Sequence, residues 1–128
     1  MRRSLWSGLA AVAVGAVVLT GCGGDDAAGG GTDNAKPADV VARGDDALQF
    51  DQKQYSAAAG SVVIELVNDG LQPHTLLFEK VSGFKKLSVT GKGDTDRGTA
   101  NLEPGTYTIY CDVAGHRSAG MEAKLVIS

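Results

Sequence analysis

Between Tyr110 and Met121 the chain reads YCDVAGHRSAGM, which sets Cys111, His116 and Met121 in the pattern Cys-x4-His-x4-Met. The whole sequence holds two histidines and two cysteines, so three soft donors in one short loop call for a chemical reason. The other histidine, His74, opens the stretch HTLLFEK. Two imidazoles, one thiolate and one thioether are a donor set with few uses. The sulfurs favour Cu(I), and the imidazoles suit both oxidation states of copper. Two histidines and a cysteine around a weak axial methionine describe a site for one-electron exchange. Zinc accepts histidine and cysteine but gains little from a thioether.

Taken singly, each donor has an ordinary explanation. A histidine that opens a strand is commonly a partly buried polar residue, a methionine in phase with Leu and Ile is commonly core, and one buried cysteine is commonly a small hydrophobe. The case for a metal rests on all four meeting at one place, and that depends on the strands.

Period-2 alternation dominates the C-terminal part of the chain. SVVIELVN (61–68) puts Val62, Ile64 and Leu66 on one face, and HTLLFEK (74–80) puts His74, Leu76 and Phe78 on one face. GTYTIYC (105–111) aligns Tyr107, Ile109 and Cys111, and MEAKLVIS (121–128) aligns Met121, Ala123, Leu125 and Ile127. Weaker strand candidates are 47–50, 55–57, 87–89 and 99–102. Short alternating segments between turns such as NDG (68–70) and GKGD (91–94) predict an all-β, Greek-key β-sandwich with one wet face per sheet. LEPGTY (102–107) resembles a tyrosine corner, in which the phenol of Tyr107 bonds back to upstream backbone. In this arrangement Cys111 ends one strand and Met121 starts the next at the same pole, both facing inward. A strand that begins at that pole brings His74 beside Cys111, and His116 closes over them from the connecting loop.

On these residues, with His74 set in NDGLQPHTLLF, the chain resembles the cupredoxins, the small blue copper proteins, over about residues 45–128. The Cys-to-His spacing is similar to the rusticyanin and sulfocyanin branch and longer than in plastocyanin. FDQKQYSAAAGSVVIELVN (50–68) is similar to the family's opening strands. The resemblance implies one type 1 copper ion with His74, Cys111 and His116 as equatorial ligands and Met121 axial. It implies electron exit through His116, with Leu71, Pro73, Ala114, Ala119 and Gly120 as the rim where redox proteins dock transiently, and Tyr110 as a second electron route. Two residues depart from the family pattern. Thr75 stands where many members carry an asparagine that ties down the cysteine loop, though a hydroxyl there can make a similar bond. Ala114 stands in place of the usual proline.

The other end of the chain sets the location. Arg2 and Arg3 precede an uncharged apolar run, Leu5 to Leu19, shorter than the roughly 20 residues a spanning helix needs. The run ends in LTGC (19–22), which resembles the lipobox of bacterial lipoproteins and implies cleavage before Cys22 and acylation of that cysteine. The expected organisation is a signal peptide over 1–21, a Gly-, Ala- and Asp-rich tether over 22–44 with too little apolar surface to fold, and a copper-binding domain over 45–128. Loss of the signal leaves ten basic against fifteen acidic residues, a net charge of −5, with no basic stripe for nucleic acid. With Cys22 lipidated, Cys111 is an odd cysteine in an oxidising compartment: paired between molecules, reactive, or held by a metal.

Function follows as an extracytoplasmic, membrane-anchored, monomeric electron carrier, with a copper carrier or chaperone for a membrane cuproenzyme as the alternative. A copper enzyme is disfavoured by counting. Oxidase and nitrite reductase sites need further histidines beyond His74 and His116, and a binuclear site wants a second loop cysteine near Gly115.

Overall fold

The computed structural model describes residues 36–128. The expected signal peptide, Cys22 and the tether as far as residue 35 lie outside the described residues. Eight strands and one helical turn follow in order: β1 Val40–Gly44, β2 Gln54–Ala57, β3 Gly60–Asn68, β4 His74–Phe78, β5 Leu87–Val89, β6 Thr95–Leu102, β7 Gly105–Tyr110, α1 His116–Ala119 and β8 Glu122–Ile127. They form a three-stranded sheet in the order β1-β3-β6 and a five-stranded sheet in the order β2-β8-β7-β4-β5. Both sheets mix parallel and antiparallel pairs, with β1 parallel to β3 and β2 parallel to β8. Among the described residues no helix is long and apolar enough to cross a membrane.

The alternation read from the sequence is the one that builds the core. Ile64 and Leu66 of β3, Leu76 of β4, Ile109 of β7 and Leu125 of β8 are fully buried in one cluster, joined by Leu87 of β5. Each such side chain contributes about 1.5–3 kcal/mol relative to exposure. The wet-face rule loosens at the central strand β3, where Val63 and Val67 are also buried. The expected tyrosine corner is formed: the Tyr107 hydroxyl donates to the Glu103 carbonyl at 2.8 Å.

Two boundaries differ from the sequence reading. The tether expected over 22–44 ends sooner, because Val40–Gly44 is β1, in register with β3 from Val40↔Ile64 to Gly44↔Asn68. Its inward residues, Val40, Ala42 and Gly44, become small along the strand, which hides a strand inside a Gly- and Ala-rich composition. The candidate strand at 47–50 is instead a turn. The Asp45 carboxylate accepts the N–H groups of Ala47 and Gln49, Leu48 adopts a φ of 59°, and only Phe50 makes a single bridge, to Gly44. Side-chain capture of the backbone outcompetes the ladder there.

Candidate copper centre

Antiparallel pairing of β4 with β7 (Leu77↔Tyr110, Phe78↔Ile109) and of β7 with β8 (Tyr110↔Glu122) brings three strand ends to one pole. Between β7 and β8 the chain makes one helical turn, α1, flanked by Gly115 at φ 83° and Gly120 at φ 114°. Both lie in the left-handed region where a side chain is strained. The turn is what the four-residue spacings on either side of His116 encode.

The ligand-type atoms of His74, Cys111 and His116 all lie within 4.8 Å of one another, and all three residues are buried. Cys111 Sγ is 3.5 Å from His116 Nδ1, and the two imidazole rings stand 5.2 Å apart at 60°. Met121 is fully buried. A Cβ on Gly44 would meet His74 Cδ2 at 2.7 Å and the Met121 methyl at 2.8 Å, so thioether and imidazole pack side by side against the glycine that ends β1.

The donor atoms fit copper on their own chemistry. Neither ring nitrogen of fully buried His74 has a hydrogen bond of good geometry, the Asp45 backbone making only a weak interaction with the ring. Atoms so poorly paired carry a penalty unless something binds them. Burial first, and the neighbouring His116 second, lower the His74 pKa from its ordinary value, partly offset by Asp45 and Asp46. A neutral ring presents a lone pair. Cys111 is free and buried, in a neighbourhood with no other cysteine among the described residues.

Around the donors, hydrogen bonds fix each group. The Thr75 N–H donates to Cys111 Sγ at 3.3 Å. The Thr75 hydroxyl takes the place of the family's asparagine by spanning to the cysteine loop. It accepts the Asp112 N–H at 2.9 Å and lies 2.7 Å from Asp112 Oδ1. That contact above all, aided by Lys86 against a burial effect in the opposite direction, holds the Asp112 carboxyl below its usual range. Arg117 pins α1 to the sheet: its guanidinium donates to Glu122 at 2.7 Å and Glu79 at 2.8 Å and lies 4.1 Å over the Tyr110 ring.

Two positioning residues were not picked out from the sequence. Asn68 is fully buried, accepts the Gly70 N–H and donates to the Gln72 carbonyl, which shapes the loop into His74. Asp46 accepts the N–H groups of Leu71 and Gln72 at 2.7 and 3.0 Å. Asn68 was visible only as part of a turn motif, NDG, while Asp46 carried no motif. Of the expected rim, Leu71 is 76% exposed, Pro73, Ala114 and Ala119 are exposed, and Gly120 is half-buried with its carbonyl bound to Lys53 Nζ at 2.9 Å.

A family profile described as copper binding proteins, plastocyanin/azurin family, matches residues 38–128. This chain belongs to the plastocyanin/azurin family of copper-binding proteins. It is 31% identical over 100 residues to the chloroplastic plastocyanin major isoform of Arabidopsis thaliana, covering 70% of this chain but 58% of that protein's length. It is 30% identical over 101 residues to plastocyanin of a Synechococcus strain, covering 70% of this chain and 72% of that one. In fold it is similar to the dithionite-reduced auracyanin of Roseiflexus castenholzii, with a TM-score of 0.61 at 16% identity over 70% of this chain and 95% of the other. The family match begins at residue 38, in keeping with β1 as part of the cupredoxin domain. Copper is the cofactor of this family, and His74, Cys111, His116 and Met121 form a cluster of type 1 character.

Proposed function

We propose that the protein is a lipid-anchored, extracytoplasmic electron carrier that holds one copper ion through His74, Cys111 and His116, with Met121 as the weak axial donor. The single observation that carries this reading is the buried convergence of two imidazoles and one thiol within 4.8 Å, with the His74 nitrogens left without a hydrogen bond of good geometry. Copper bound there supplies a Cu(I)/Cu(II) couple that exchanges one electron at a time.

The chain's own part is to hold the donors still and keep water out. Cys111 and Met121 are fully buried and His116 nearly so, which favours outer-sphere exchange over binding of a substrate at the metal. Leu71, Pro73, Ala114 and Ala119 are exposed, and as a small apolar rim to His116 they would suit weak, short-lived docking of redox proteins. Gly120 contributes its backbone to that rim, and the Arg117-capped ring of Tyr110 is the second route outward. The working protein acts as a monomer.

The anchor rests on LTGC (19–22), which assigns residues 1–21 to a signal peptide, the lipid to Cys22 and a tether to the stretch before β1. A single chain of lipid gives only marginal membrane binding, so a lipoprotein-type multiple acylation is the expected modification.

The test is addition of Cu(II) to the purified domain from residue 36 onward, alongside Cys111→Ser. An intense blue or green colour that disappears in the variant is expected, and a colourless wild type overturns the reading. Copper passing to an apo-acceptor faster than electrons pass to a redox partner would assign the protein to copper delivery instead.

A further inference from the structure

The Thr75 hydroxyl faces two acceptors with a single proton. Its oxygen is 2.7 Å from Asp112 Oδ1 and 3.5 Å from Cys111 Sγ, and it already receives the Asp112 N–H at 2.9 Å. A hydroxyl donates once. An oxygen–oxygen distance of 2.7 Å to a carboxylate is that of a charge-assisted bond, so the proton lies on the Asp112 side. The other carboxylate oxygen, Oδ2, receives Lys86 Nζ at 3.1 Å. Exposed ion pairs of this kind contribute little, so the reciprocal bonds with Thr75 are what orient the Asp112 side chain. Apart from His116 Nδ1, a fellow candidate ligand at 3.5 Å, the Cys111 sulfur is left with one donor among the described residues, the Thr75 N–H at 3.3 Å.

We propose that Asp112 is a positioning residue that withholds the Thr75 hydroxyl proton from the Cys111 thiolate and thereby lowers the reduction potential of the site. This rests on the copper reading above. A sulfur with fewer hydrogen-bond donors gives more electron density to its metal, and hydrogen bonding around the cysteine sulfur tunes the potential of such centres. Cys111 is fully buried and Thr75 nearly so, where each bond to the sulfur is little screened. Removal of the carboxylate lets the hydroxyl proton swing to the sulfur by rotation about one bond, with no heavy atom displaced.

A double-mutant cycle on the copper-loaded protein isolates this effect from that of the lost charge, which is the same whether or not residue 75 has a hydroxyl. Asp112→Ala is expected to favour the reduced form about tenfold, equivalent to about 59 mV for a one-electron couple, and to move the sulfur-to-copper absorption band to higher energy. In a Thr75→Val background most of both shifts should vanish. Equal shifts in the two backgrounds overturn the proposal while a coloured wild type leaves the copper site standing; a colourless wild type removes both. A neutron structure of the copper-loaded wild type locates the proton with no substitution: between Oγ1 and Asp112 supports the proposal, and toward Sγ overturns it.

Discussion

The Cys111 N–H donates to the carbonyl of Met121 at 3.1 Å, ten residues downstream. The Met121 N–H in turn donates to the His116 carbonyl at 3.0 Å, and the His116 N–H to that of Val113 at 2.9 Å. The loop that carries three of the four donors is therefore closed by its own backbone. These bonds use main-chain groups alone, so they survive a change of any one donor side chain. A scaffold so fixed resists the rearrangement that would slow a change of oxidation state.

Substitution of Met121 should therefore change electronics more than fold. Met121→Leu conserves volume and costs less than about 1.5 kcal/mol, while it takes away the weak donor that favours Cu(II). The expected result is retained colour from the two histidines and the cysteine, with a higher midpoint in a redox titration. A lower or unchanged midpoint would place the methionine outside the copper's reach.

Gly44 forms the wall on the other side of Met121. An added Cβ would lie 2.7 Å from His74 Cδ2 and 2.8 Å from the Met121 methyl, and β1 is held in register by its pairing with β3. Gly44→Ala should cost about 1–3 kcal/mol from overpacking and displace both donors. Thermal unfolding of the copper-free protein reads the first effect and the absorption spectrum of the loaded protein reads the second. A variant with the wild-type spectrum would show that the two side chains can yield without leaving the metal.

The same glycine shows where the sequence was and was not legible. The phase of His74, Cys111 and Met121 with their strands could be read directly, because a period of two fixes which face each donor shares with Leu76, Ile109 and Leu125. That much placed the site. Gly44 reads as tether, since a strand whose inward residues are Val, Ala and Gly has no hydrophobic pattern until its neighbour in the sheet is known. Asn68 and Asp46 were missed for a related reason. Their work is to bind backbone N–H and carbonyl groups of residues 70–72, and such bonds depend on the course of a loop rather than on periodicity. The turn of helix at 116–119 is too short to show a helical period, and only Gly115 and Gly120 at its two ends mark it.

Ala119 offers a test of the docking rim that spares the copper. Its side chain is exposed at the end of α1, and its N–H is bound to the Gly115 carbonyl at 3.1 Å, a contact that any residue can make. Ala119→Glu should leave the colour intact and slow electron exchange several-fold, measured by stopped flow against a protein redox partner. Exchange at the wild-type rate would mean that partners dock elsewhere.

Acid stability should trace to carboxylates remote from the copper, most clearly Asp39. Its Oδ2 accepts the Val63 N–H at 2.8 Å and Lys36 Nζ at 2.9 Å. The first of these bonds above all, then the second, lower its pKa from the ordinary 3.8. The native state thus binds a proton at Asp39 less readily than the unfolded chain does. The stabilisation is complete above about pH 5 and is lost progressively as the pH falls through 3.8 toward the lower native value. Urea unfolding of the copper-free protein at a series of pH values checks this: the wild-type midpoint should fall steeply below pH ~4. Asp39→Asn should start lower and fall less. An equally steep fall in the variant would assign the acid sensitivity to other groups.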